Sequence, residues 1–307
     1  MTQQGHTFRR LVILGNTGFI GGHLENYFRR AYPGLEIVGQ SIEQVDLTQY
    51  EETKRLVKYF GLETAVIMCS GIKRQFGDNS ETFLQNVNMC VNLCRVLENA
   101  PVQQLIFFSS AAVYGEDIHN TAITEQTPIQ PRSYYGLAKY TSERLFFKIF
   151  DQNPQSSLLI LRPPLIYGPG DQGKTYGPAG FLNAAMNKES IALWGDGSEL
   201  REFMFVEDVV KIIDQLMFKK YSGVVNVVSG QSYTFKQALD IVAEATDVEL
   251  RVYFKERSKK KVDNVFNIGN LNKIIGDFKF TSLAEGIRKA LLAETILLTF
   301  VEPKELR

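Results

Sequence analysis

The feature that most limits how this chain can fold is an alternation of short apolar runs with amphipathic, helix-length stretches through its first half. Each run is apolar over nearly its whole length, which is the pattern of strands that are buried on both faces of a sheet. The five runs are residues 10–15, 35–39, 64–69, 103–109 and 157–162. The helix-like stretches between them are residues 19–31, 48–60, 80–99 and 133–152. The pattern predicts an α/β fold in which helices cover both faces of a doubly wound parallel sheet.

The alternation changes after Arg162. Residues 163–201 are rich in glycine and proline, a composition that predicts loops around a site rather than further sheet. A helix at 206–220 and a buried strand at 223–230 follow, and the pattern is mostly helical from Ser232 onward. These changes predict a large domain of residues 1–167 and 202–230, and a smaller, discontinuous α/β domain of residues 168–201 and 231–307.

Charge and cysteine content exclude several classes of protein. The 307 residues carry 34 basic and 34 acidic side chains, so a net charge of zero argues against a nucleic-acid partner. No apolar run reaches the ~18 residues of a membrane span, and the polar N-terminus does not resemble a signal peptide. We therefore expect no membrane span and a cytoplasmic location. Of the three cysteines, Cys90 and Cys94 share a helix face without a nearby histidine, so we expect apolar fillers and no metal site.

The first apolar run leads directly into a glycine-rich turn that precedes a predicted helix. The turn reads Gly15-Asn16-Thr17-Gly18-Phe19-Ile20-Gly21. In such a turn the first glycine permits the tight bend, the second lets a pyrophosphate approach the backbone, and the third lets the helix pack close to the strand. The amides at the start of the helix then face the anion. We therefore expect this turn to bind the diphosphate of a dinucleotide.

The end of the second apolar run is where nicotinamide dinucleotides with and without a 2′-phosphate are distinguished. A carboxylate at this place binds the 2′-hydroxyl of the adenine ribose, whereas an arginine accommodates a 2′-phosphate. Gln40 and Ser41 stand here, so neither group is present. We expect both residues near the adenine ribose, and the sequence leaves NAD and NADP open.

A tyrosine and a lysine four residues apart form the second motif that carries chemistry. Tyr135 and Lys139 lie at the start of a predicted helix, and their spacing places both side chains on one face. A nearby ammonium group lowers the pKa of a phenol toward neutrality, where general acid–base catalysis is effective. Ser110 follows a buried strand and can bind the same substrate oxygen. Tyr50 and Lys54 match the same spacing but lack this context, so we expect no site there.

Taken together, these motifs resemble those of the extended short-chain dehydrogenase/reductases that act on nucleotide sugars. The resemblance rests on GNTGFIG, the Ser110–Tyr135–Lys139 set and the segments SSAAVYG (109–115), LRPPLIYGPG (161–170) and GDGSELREFMFVEDVV (195–210). It implies a Rossmann-type domain for NAD or NADP, a second domain for a nucleotide-sugar substrate, and hydride transfer at sugar C4. Ser110 and Tyr135 would hold the sugar oxygen, with Lys139 on the nicotinamide ribose.

The resemblance also assigns roles to single residues. It places Asp46 and Leu47 near the adenine and Arg201 on the substrate diphosphate. The cofactor's phosphates and nicotinamide would be flanked by Cys69, Ser70, Gly71, Lys73 and Asn86, with Asn88 on the same helix as Asn86. It further implies a homodimer formed through the helices predicted at 80–99 and 133–152.

Three departures from the family pattern narrow the reaction. Sugar 4,6-dehydratases carry Asp-Glu where this chain has Ala111-Ala112, and GDP-fucose synthases carry a cysteine in place of Ala112, so both reactions are disfavoured. Leu165 replaces an asparagine that contacts the substrate in the family. The first hypothesis is therefore a nucleotide-sugar 4-epimerase, and the alternative is a nucleotide-4-keto-6-deoxysugar reductase that consumes NAD(P)H. A non-catalytic dinucleotide sensor is disfavoured by the intact Ser–Tyr–Lys set. The nucleotide and sugar stay open, as does a lipid diphosphate carrier.

Overall fold

The computed structural model describes residues 8–173, 177–257 and 260–300, with side chains up to residue 296. In chain order the strands are β1 Arg10–Leu14, β2 Glu36–Gln40, β3 Thr64–Met68, β4 Gln104–Phe108, β5 Asn120–Ile123, β6 Ser157–Arg162, β7 Leu165–Tyr167, β8 Ile191–Trp194, β9 Leu200–Phe205, β10 Gly223–Asn226, β11 Ser232–Thr234, β12 Val252–Lys255 and β13 Asn264–Phe266. The α-helices are α1 Phe19–Ala31, α2 Tyr50–Thr53, α3 Ser80–Asn99, α4 Tyr134–Phe150, α5 Pro178–Met186, α6 Val206–Phe218, α7 Phe235–Thr246, α8 Gly269–Ile275 and α9 Leu283–Phe300.

Six of these strands form one parallel sheet in the order β2-β1-β3-β4-β6-β10. The side chains of β1 show why its sequence is continuously apolar. Leu11 and Ile13 pack into a core shared with α1, α6 and α8, whereas Val12 and Leu14 pack into a second core shared with α3 and α4. Successive strand residues face opposite sides of a sheet, so both faces need apolar residues. The predicted doubly wound parallel fold is confirmed.

The interpretation of residues 163–201 as loops was wrong in part. This stretch contains β7, α5 and β8, as well as the connections between them. Helix α5 begins after Gly177 with a proline in its first turn, and its Phe181, Leu182 and Ala185 are buried. Proline is compatible with the first turn of a helix because its missing amide has no partner there. The short strands pair with segments distant in sequence, so no local periodicity marks them.

A second group of elements packs beside the large sheet around its own core. Strand β9 pairs with β7 and β11, and β8 pairs with β12. Buried residues of α5, α7 and α9 cover this group, and Gly286 of α9 lies where an added Cβ would overlap the hydroxyl of Tyr167. The division into two domains stays a proposal, since Leu271 and Ile275 of α8 pack into the core of the large sheet. Within the described ranges, no helix has the length and apolarity to cross a membrane.

Candidate active site

The loops that follow β1, β3 and β4 meet at one edge of the large sheet, because these strands are parallel neighbours. The amide of Gly15 donates to the carbonyl of Gln40 at 2.7 Å, and the amide of Ser70 donates to the carbonyl of Leu14 at 3.1 Å. Carboxyl ends of parallel strands are where doubly wound folds bind ligands. This edge therefore brings together the glycine turn, the loop after β3 and the residues after β4.

Close backbone contacts explain the glycines of the turn. Gly15 has φ +87°, and an added Cβ would lie 2.9 Å from the amide nitrogen of Ser70. A Cβ on Gly21 would overlap the carbonyl oxygen of Gly15. Both positions therefore require glycine for the chain to turn from β1 into α1. A Cβ on Gly18 would lie 3.3 Å from the same carbonyl oxygen, so this glycine keeps the outer side of the turn open.

The N-terminus of α1 is free of side-chain caps. Its N-cap is Gly18, which makes no side-chain cap hydrogen bond, and no acidic residue stands in the first turn, Phe19–Gly22, of this described helix. Helix N-termini carry partial positive charge and unsatisfied amides, which suit a phosphate group. The turn and the uncapped helix together fit the diphosphate of a dinucleotide. Thr17 is exposed beside them, while Phe19 and Ile20 are half-buried.

Asn16 joins the turn to the end of β2. Its Nδ2 donates to Glu25 Oε2 at 2.7 Å, and its side chain occupies the space that a Cβ on Gly39 would fill. Asn16 Oδ1 is buried and has no hydrogen-bond partner among the described residues. An orphaned acceptor of this kind is unusual in a protein interior. It lies beside the turn where we expect the dinucleotide.

The predicted adenine end is held by local hydrogen bonds. Ser41 is buried and donates its hydroxyl to Gln44 Oε1, and the side chain of Gln40 donates to the carbonyl of Gly39 at 2.7 Å. Asp46 Oδ1 accepts from the amide of Thr48 at 2.9 Å, which closes a short turn. Leu47 is buried in the core beneath α3. Gln40 and Ser41 lie at the end of β2, where the sequence predicts that the adenosine binds.

The loop after β3 is fixed by Asn86 of α3. Asn86 Oδ1 accepts from the amide of Ile72 at 2.7 Å, and its Nδ2 donates to the carbonyl of the same residue at 3.1 Å. Asn86 is 7% exposed, whereas Asn88 is exposed. Burial raises the pKa of the Cys69 thiol at the start of this loop. The two hydrogen bonds with Asn86 fix the backbone of the loop at Ile72, and Gly71 lies beside the side chains of Asn86 and Lys139.

Lys73 lies at the outer end of the same loop. Its Nζ is 3.6 Å from Asp171 Oδ1 and 5.4 Å from the ring centroid of Phe19. Burial raises the pKa of Asp171, and the Lys73 ammonium lowers it. Lys73 thus connects the loop after β3, the glycine turn and the segment after β7. A cation at this place supports the predicted contact with the cofactor's phosphates.

Helix α4 brings Tyr135 and Lys139 to the end of β4. Ser133 caps the helix by accepting from the amide of Gly136 at 3.0 Å, and the amide of Tyr135 donates to Asp78 Oδ1 at 3.0 Å. Lys139 is 7% exposed and donates from Nζ to the carbonyl of Phe108 at 2.7 Å. The same Nζ lies 5.7 Å from the ring centroid of Tyr135. The two residues therefore share one helix face at the edge of the sheet.

Ser110 lies beside this helix face. It caps the short 3-10 helix of residues Ala111–Tyr114, accepting from the amide of Ala112 at 3.2 Å. A Cβ on Gly136 would lie 2.7 Å from the carbonyl of Ala112, so α4 packs directly against this short helix. A Cβ on Gly71 would lie 3.4 Å from Lys139 Nζ and from Asn86 Oδ1. The structure thus brings the predicted catalytic and nicotinamide-side residues together.

The second tyrosine–lysine match is in a different setting. The ring of Tyr50 lies 3.4 Å from the guanidinium carbon of Arg95 on α3. Tyr50 starts the short helix α2, and Lys54 begins the 3-10 helix of residues Lys54–Tyr59 that follows it. Spacing alone therefore does not identify a site, and the assignment of Tyr135 and Lys139 rests in addition on their position beside the end of β4.

A buried polar network beneath the site was missed by sequence reasoning. Glu143 accepts two hydrogen bonds from Arg162 at the end of β6 and one from Ser109. Arg162 Nη1 also donates to the hydroxyl of Tyr114, which donates to Asn226 Oδ1 at 2.8 Å. The signal in the sequence is a glutamate one helical turn after Lys139, on a face that is otherwise buried. The network joins α4, β4, β6 and β10.

Arg201 lies in β9, which belongs to the small sheet and not to the large sheet that leads into the glycine turn. Its Nη1 donates to the carbonyls of Leu200 and Val262 at 2.8 and 2.6 Å, and its Nη2 is 3.5 Å from Glu199 Oε2. Leu165 begins β7 and is in register with Phe203 of β9. Leu165 and Arg201 therefore belong to the same small sheet, and their substrate contacts stay a prediction.

Glu202, beside Arg201, is a buried carboxylate that sequence reasoning did not single out. It is 1% exposed, and its Oε1 accepts from the amides of Ser229 and Gly230 and from the hydroxyl of Ser229. Glu202 Oε2 is buried without a partner among the described residues. Burial raises the pKa of this carboxyl to about 7, against the three hydrogen bonds that lower it.

Residues 11–228 match the NAD dependent epimerase/dehydratase family. A relative from Escherichia coli O157:H7, N-acetyl-alpha-D-glucosaminyl-diphospho-ditrans,octacis-undecaprenol 4-epimerase, is 25% identical over 66% of this chain and 61% of its own. The UDP-glucose 4-epimerase of Thermus thermophilus, solved with NAD, has a TM-score of 0.79 at 24% identity, covering 92% of this chain and 98% of its own.

The UDP-glucose 4-epimerase of Thermotoga maritima, solved with UDP-glucose, has a TM-score of 0.83 at 21% identity, covering 94% of this chain and 99% of its own. This chain has the same fold as these two structures, and the family that it matches is NAD dependent. The expected nicotinamide dinucleotide cofactor and the expected resemblance are therefore confirmed. This chain belongs to the NAD dependent epimerase/dehydratase family of extended short-chain dehydrogenase/reductases.

Proposed function

We propose that this protein is a 4-epimerase of a nucleotide-linked sugar, with NAD as its cofactor and Tyr135 as its acid–base residue. The observation that carries the proposal is the position of Lys139, whose Nζ is bound to the carbonyl of Phe108 and lies beside the ring of Tyr135. This arrangement holds an ammonium and a phenol at the end of β4, next to Ser110. Related 4-epimerases, two of them solved with NAD or with UDP-glucose, have the same fold.

Each residue of this set has a defined task in the proposed reaction. Bound NAD would supply a hydride acceptor and donor at sugar C4. Tyr135 takes the proton of the C4 hydroxyl during oxidation and returns it after the keto sugar has turned its other face. Ser110 hydrogen-bonds the same oxygen and orients it, and Lys139 stabilises the phenolate through its charge. Asn86 and Gly71 shape the wall on which the nicotinamide would lie.

The side chains after Ser110 support a reaction at one carbon only. Ala111 and Ala112 have no acid or base to remove water across C5 and C6, and no thiol to move protons at C3 and C5. A 4-keto-6-deoxysugar reductase would use the same residues, and the short connection of residues 41–45 between β2 and Asp46 supports it as the second candidate. The two reactions differ in their use of the cofactor, since an epimerase recovers it in each turnover.

The experiment follows the cofactor and sugar C4 in deuterated solvent. Purified protein is incubated with UDP-glucose and UDP-N-acetylglucosamine, without added cofactor, and the products are identified by NMR. We expect interconversion of the 4-epimers without solvent deuterium at C4. In a second incubation, with a nucleotide-4-keto-6-deoxysugar and added NAD(P)H, consumption of NAD(P)H in proportion to the reduced sugar would instead establish the reductase. Bound dinucleotide without either reaction, across a panel of nucleotide sugars, would mean a non-catalytic sensor.

We further propose a cytoplasmic homodimer that pairs through α3 and α4. Leu84 of α3 and Tyr134 and Leu137 of α4 are 55%, 46% and 42% exposed, which is high for apolar side chains on adjoining helices. Association of two copies would cover these side chains. Sedimentation velocity of the protein and of Leu137→Arg tests this proposal, because a monomeric wild type would contradict it.

A further inference from the structure

Two exposed strands outside the candidate active site carry large aromatic side chains. Strand β12 pairs in parallel with β8, with Leu193 opposite Phe254 and Trp194 opposite Lys255. Trp194, Tyr253 and Phe254 are 56%, 48% and 62% exposed. Adjacent strand residues face opposite sides, so Tyr253 and Lys255 share one face of β12 with Trp194, the partner of Lys255 on β8, whereas the ring of Phe254 is exposed on the other face. A protein interior would normally cover three such rings.

Basic side chains stand among these rings. The sequence from Arg251 to Lys261 has six basic residues and one acidic residue, although the whole chain is neutral. Lys255 Nζ lies 5.4 Å from the ring centroid of Trp194 and 5.7 Å from that of Tyr253. Arg251, Lys255 and Lys260 are exposed, and no ion pair links them to an acidic residue of the described ranges. This charge is therefore available to an anionic partner.

The combination of exposed aromatic and basic side chains is typical of the membrane–water interface. Tryptophan and tyrosine settle at the level of the lipid headgroups. Lysine and arginine are attracted to the negative charge of anionic lipids. An acidic protein surface would satisfy the cations but would leave the rings of Trp194 and Tyr253 without an apolar environment. The surface therefore fits a lipid bilayer better than a polar partner.

The same surface is joined to the candidate substrate arginine. Arg257, just after β12, is 2.5 Å from Asp196 Oδ1 and 4.0 Å from Glu199 Oε1. Glu199 is in turn 3.5 Å from Arg201. These ion pairs connect the aromatic strands to the small sheet that carries Arg201. Contact of β8 and β12 with a membrane would hold that sheet close to the lipid surface.

We propose that the docking surface formed by Trp194, Tyr253, Arg251, Lys255 and Lys260 binds the anionic phospholipid surface of a membrane. The protein lies on the bilayer through this surface and does not cross it. Charge brings the surface to the lipid, and the rings enter the headgroup layer. The binding requires neither sugar nor cofactor, so it is independent of the proposed function.

Trp194 is the only tryptophan of the chain and therefore reports on this surface without a label. Full-length protein is mixed with vesicles of phosphatidylglycerol and phosphatidylcholine, or of phosphatidylcholine alone, and fluorescence and co-sedimentation are measured. We expect a blue shift and co-sedimentation with anionic vesicles only. Brominated lipids should quench the fluorescence, and about 0.5 M salt should weaken the binding.

Two variants test the charge and the rings separately. Lys255→Glu/Lys260→Glu and Tyr253→Ser should each lower vesicle binding by about tenfold or more. The controls Lys54→Glu/Lys58→Glu and Leu62→Ser change exposed residues elsewhere and should bind as wild type does. Turnover of a water-soluble nucleotide sugar should be the same in all four variants. Absent binding, equal binding to neutral vesicles, or self-association that Tyr253→Ser abolishes would overturn the proposal.

Discussion

Glu143 and Arg162 form a two-pronged ion pair beneath the candidate catalytic residues. Arg162 Nε is 2.9 Å from Glu143 Oε1, and Nη2 is 2.6 Å from Oε2. The two side chains are 1% and 5% exposed. Glu143 lies one turn after Lys139 on α4, and Arg162 ends β6. The pair therefore anchors the helix that carries Tyr135 to the large sheet.

Replacing one partner of this pair should destabilise the protein strongly. Glu143→Gln leaves the buried guanidinium without a counter-charge, and loss of one partner of a buried pair costs about 3–5 kcal/mol. We expect a fall of this order in the free energy of unfolding, measured by urea denaturation. Glu63→Gln removes the exposed partner of Arg9 and should change it by less than about 1 kcal/mol. Equal effects would show that Glu143 does not anchor the helix.

Tyr135→Phe should stop proton transfer while the fold and dinucleotide binding are retained. Loss of a general acid–base group lowers turnover by about 10²–10⁴-fold. Steady-state kinetics with the best nucleotide sugar measures the effect, and cofactor titration checks binding. Tyr50→Phe is the matched control, because the Tyr50 ring stacks on Arg95 outside the site. Near wild-type turnover of Tyr135→Phe would rule out the proposed role.

Gly21→Ala should disturb the turn that is expected to hold the diphosphate. The added Cβ would overlap the carbonyl oxygen of Gly15, so the turn must shift. Displacement of a binding group by about 1 Å can lower function by about 10²-fold, and we expect a comparable loss of NAD affinity by calorimetry. In the control Gly34→Ala, no atom lies within 4 Å of the new Cβ. Unchanged NAD affinity in Gly21→Ala would place the cofactor elsewhere.

The raised pKa of Glu202 should make the stability of the protein depend on pH. Since burial raises this pKa from 4.5 to about 7, the folded state keeps a proton that the unfolded chain releases. The resulting stabilisation is fully present below the unfolded pKa and is lost as the pH rises through the folded pKa. The loss amounts to about 3 kcal/mol on the scale of 1.36 kcal/mol per unit.

Glu202→Gln isolates this contribution, because glutamine does not titrate. Urea unfolding of both proteins at about pH 4 and about pH 8 should show the variant gaining about 3 kcal/mol relative to wild type at the higher pH. A difference that is independent of pH would mean that Glu202 titrates normally.

Arg201→Lys should weaken substrate binding without changing cofactor binding. Lysine keeps the charge but loses the planar fork that binds a diphosphate at two points, so we expect about a tenfold loss of affinity for nucleoside diphosphates. Calorimetric titration with nucleoside diphosphates and with NAD measures both. Arg288→Lys, on an exposed face of α9, is the control. Unchanged diphosphate affinity, or loss of NAD affinity, would mean that Arg201 only supports the structure through Val262 and Glu199.

The large sheet was predictable because its central strands are buried on both faces. This requirement gives β1, β3, β4 and β6 apolar runs over nearly their whole length, and α1 and α3 begin and end where their periodicity predicts. The strands of the smaller group are only three to six residues long and pair with distant segments. Their formation depends on tertiary contacts, for which a local sequence window has no signal.

The same difference applies to the candidate site, where residues with a local sequence signal could be predicted and residues with distant partners could not. Gly15, Gly21, Tyr135 and Lys139 were found because their residue types and spacing are dictated by a turn and by a helix face. The partners of Arg162 and Glu202 lie far away in sequence, and only the fold brings them together. Arg201 shows that residue type alone is also insufficient. A guanidinium suits a diphosphate, but in the structure Arg201 contacts Val262 and Glu199 of its own chain.

The position of β10 in the sheet has a consequence for synthesis of the chain. β10 pairs with β6, yet residues 163–222, which build much of the neighbouring small sheet, come between them. At about 5–20 residues per second, the ribosome needs on the order of 3–12 s to add this stretch. During that interval β6 is an open edge with unpaired backbone groups, which can pair with other chains. We therefore expect the nascent protein to be more prone to aggregation during this period than after β10 has paired with β6.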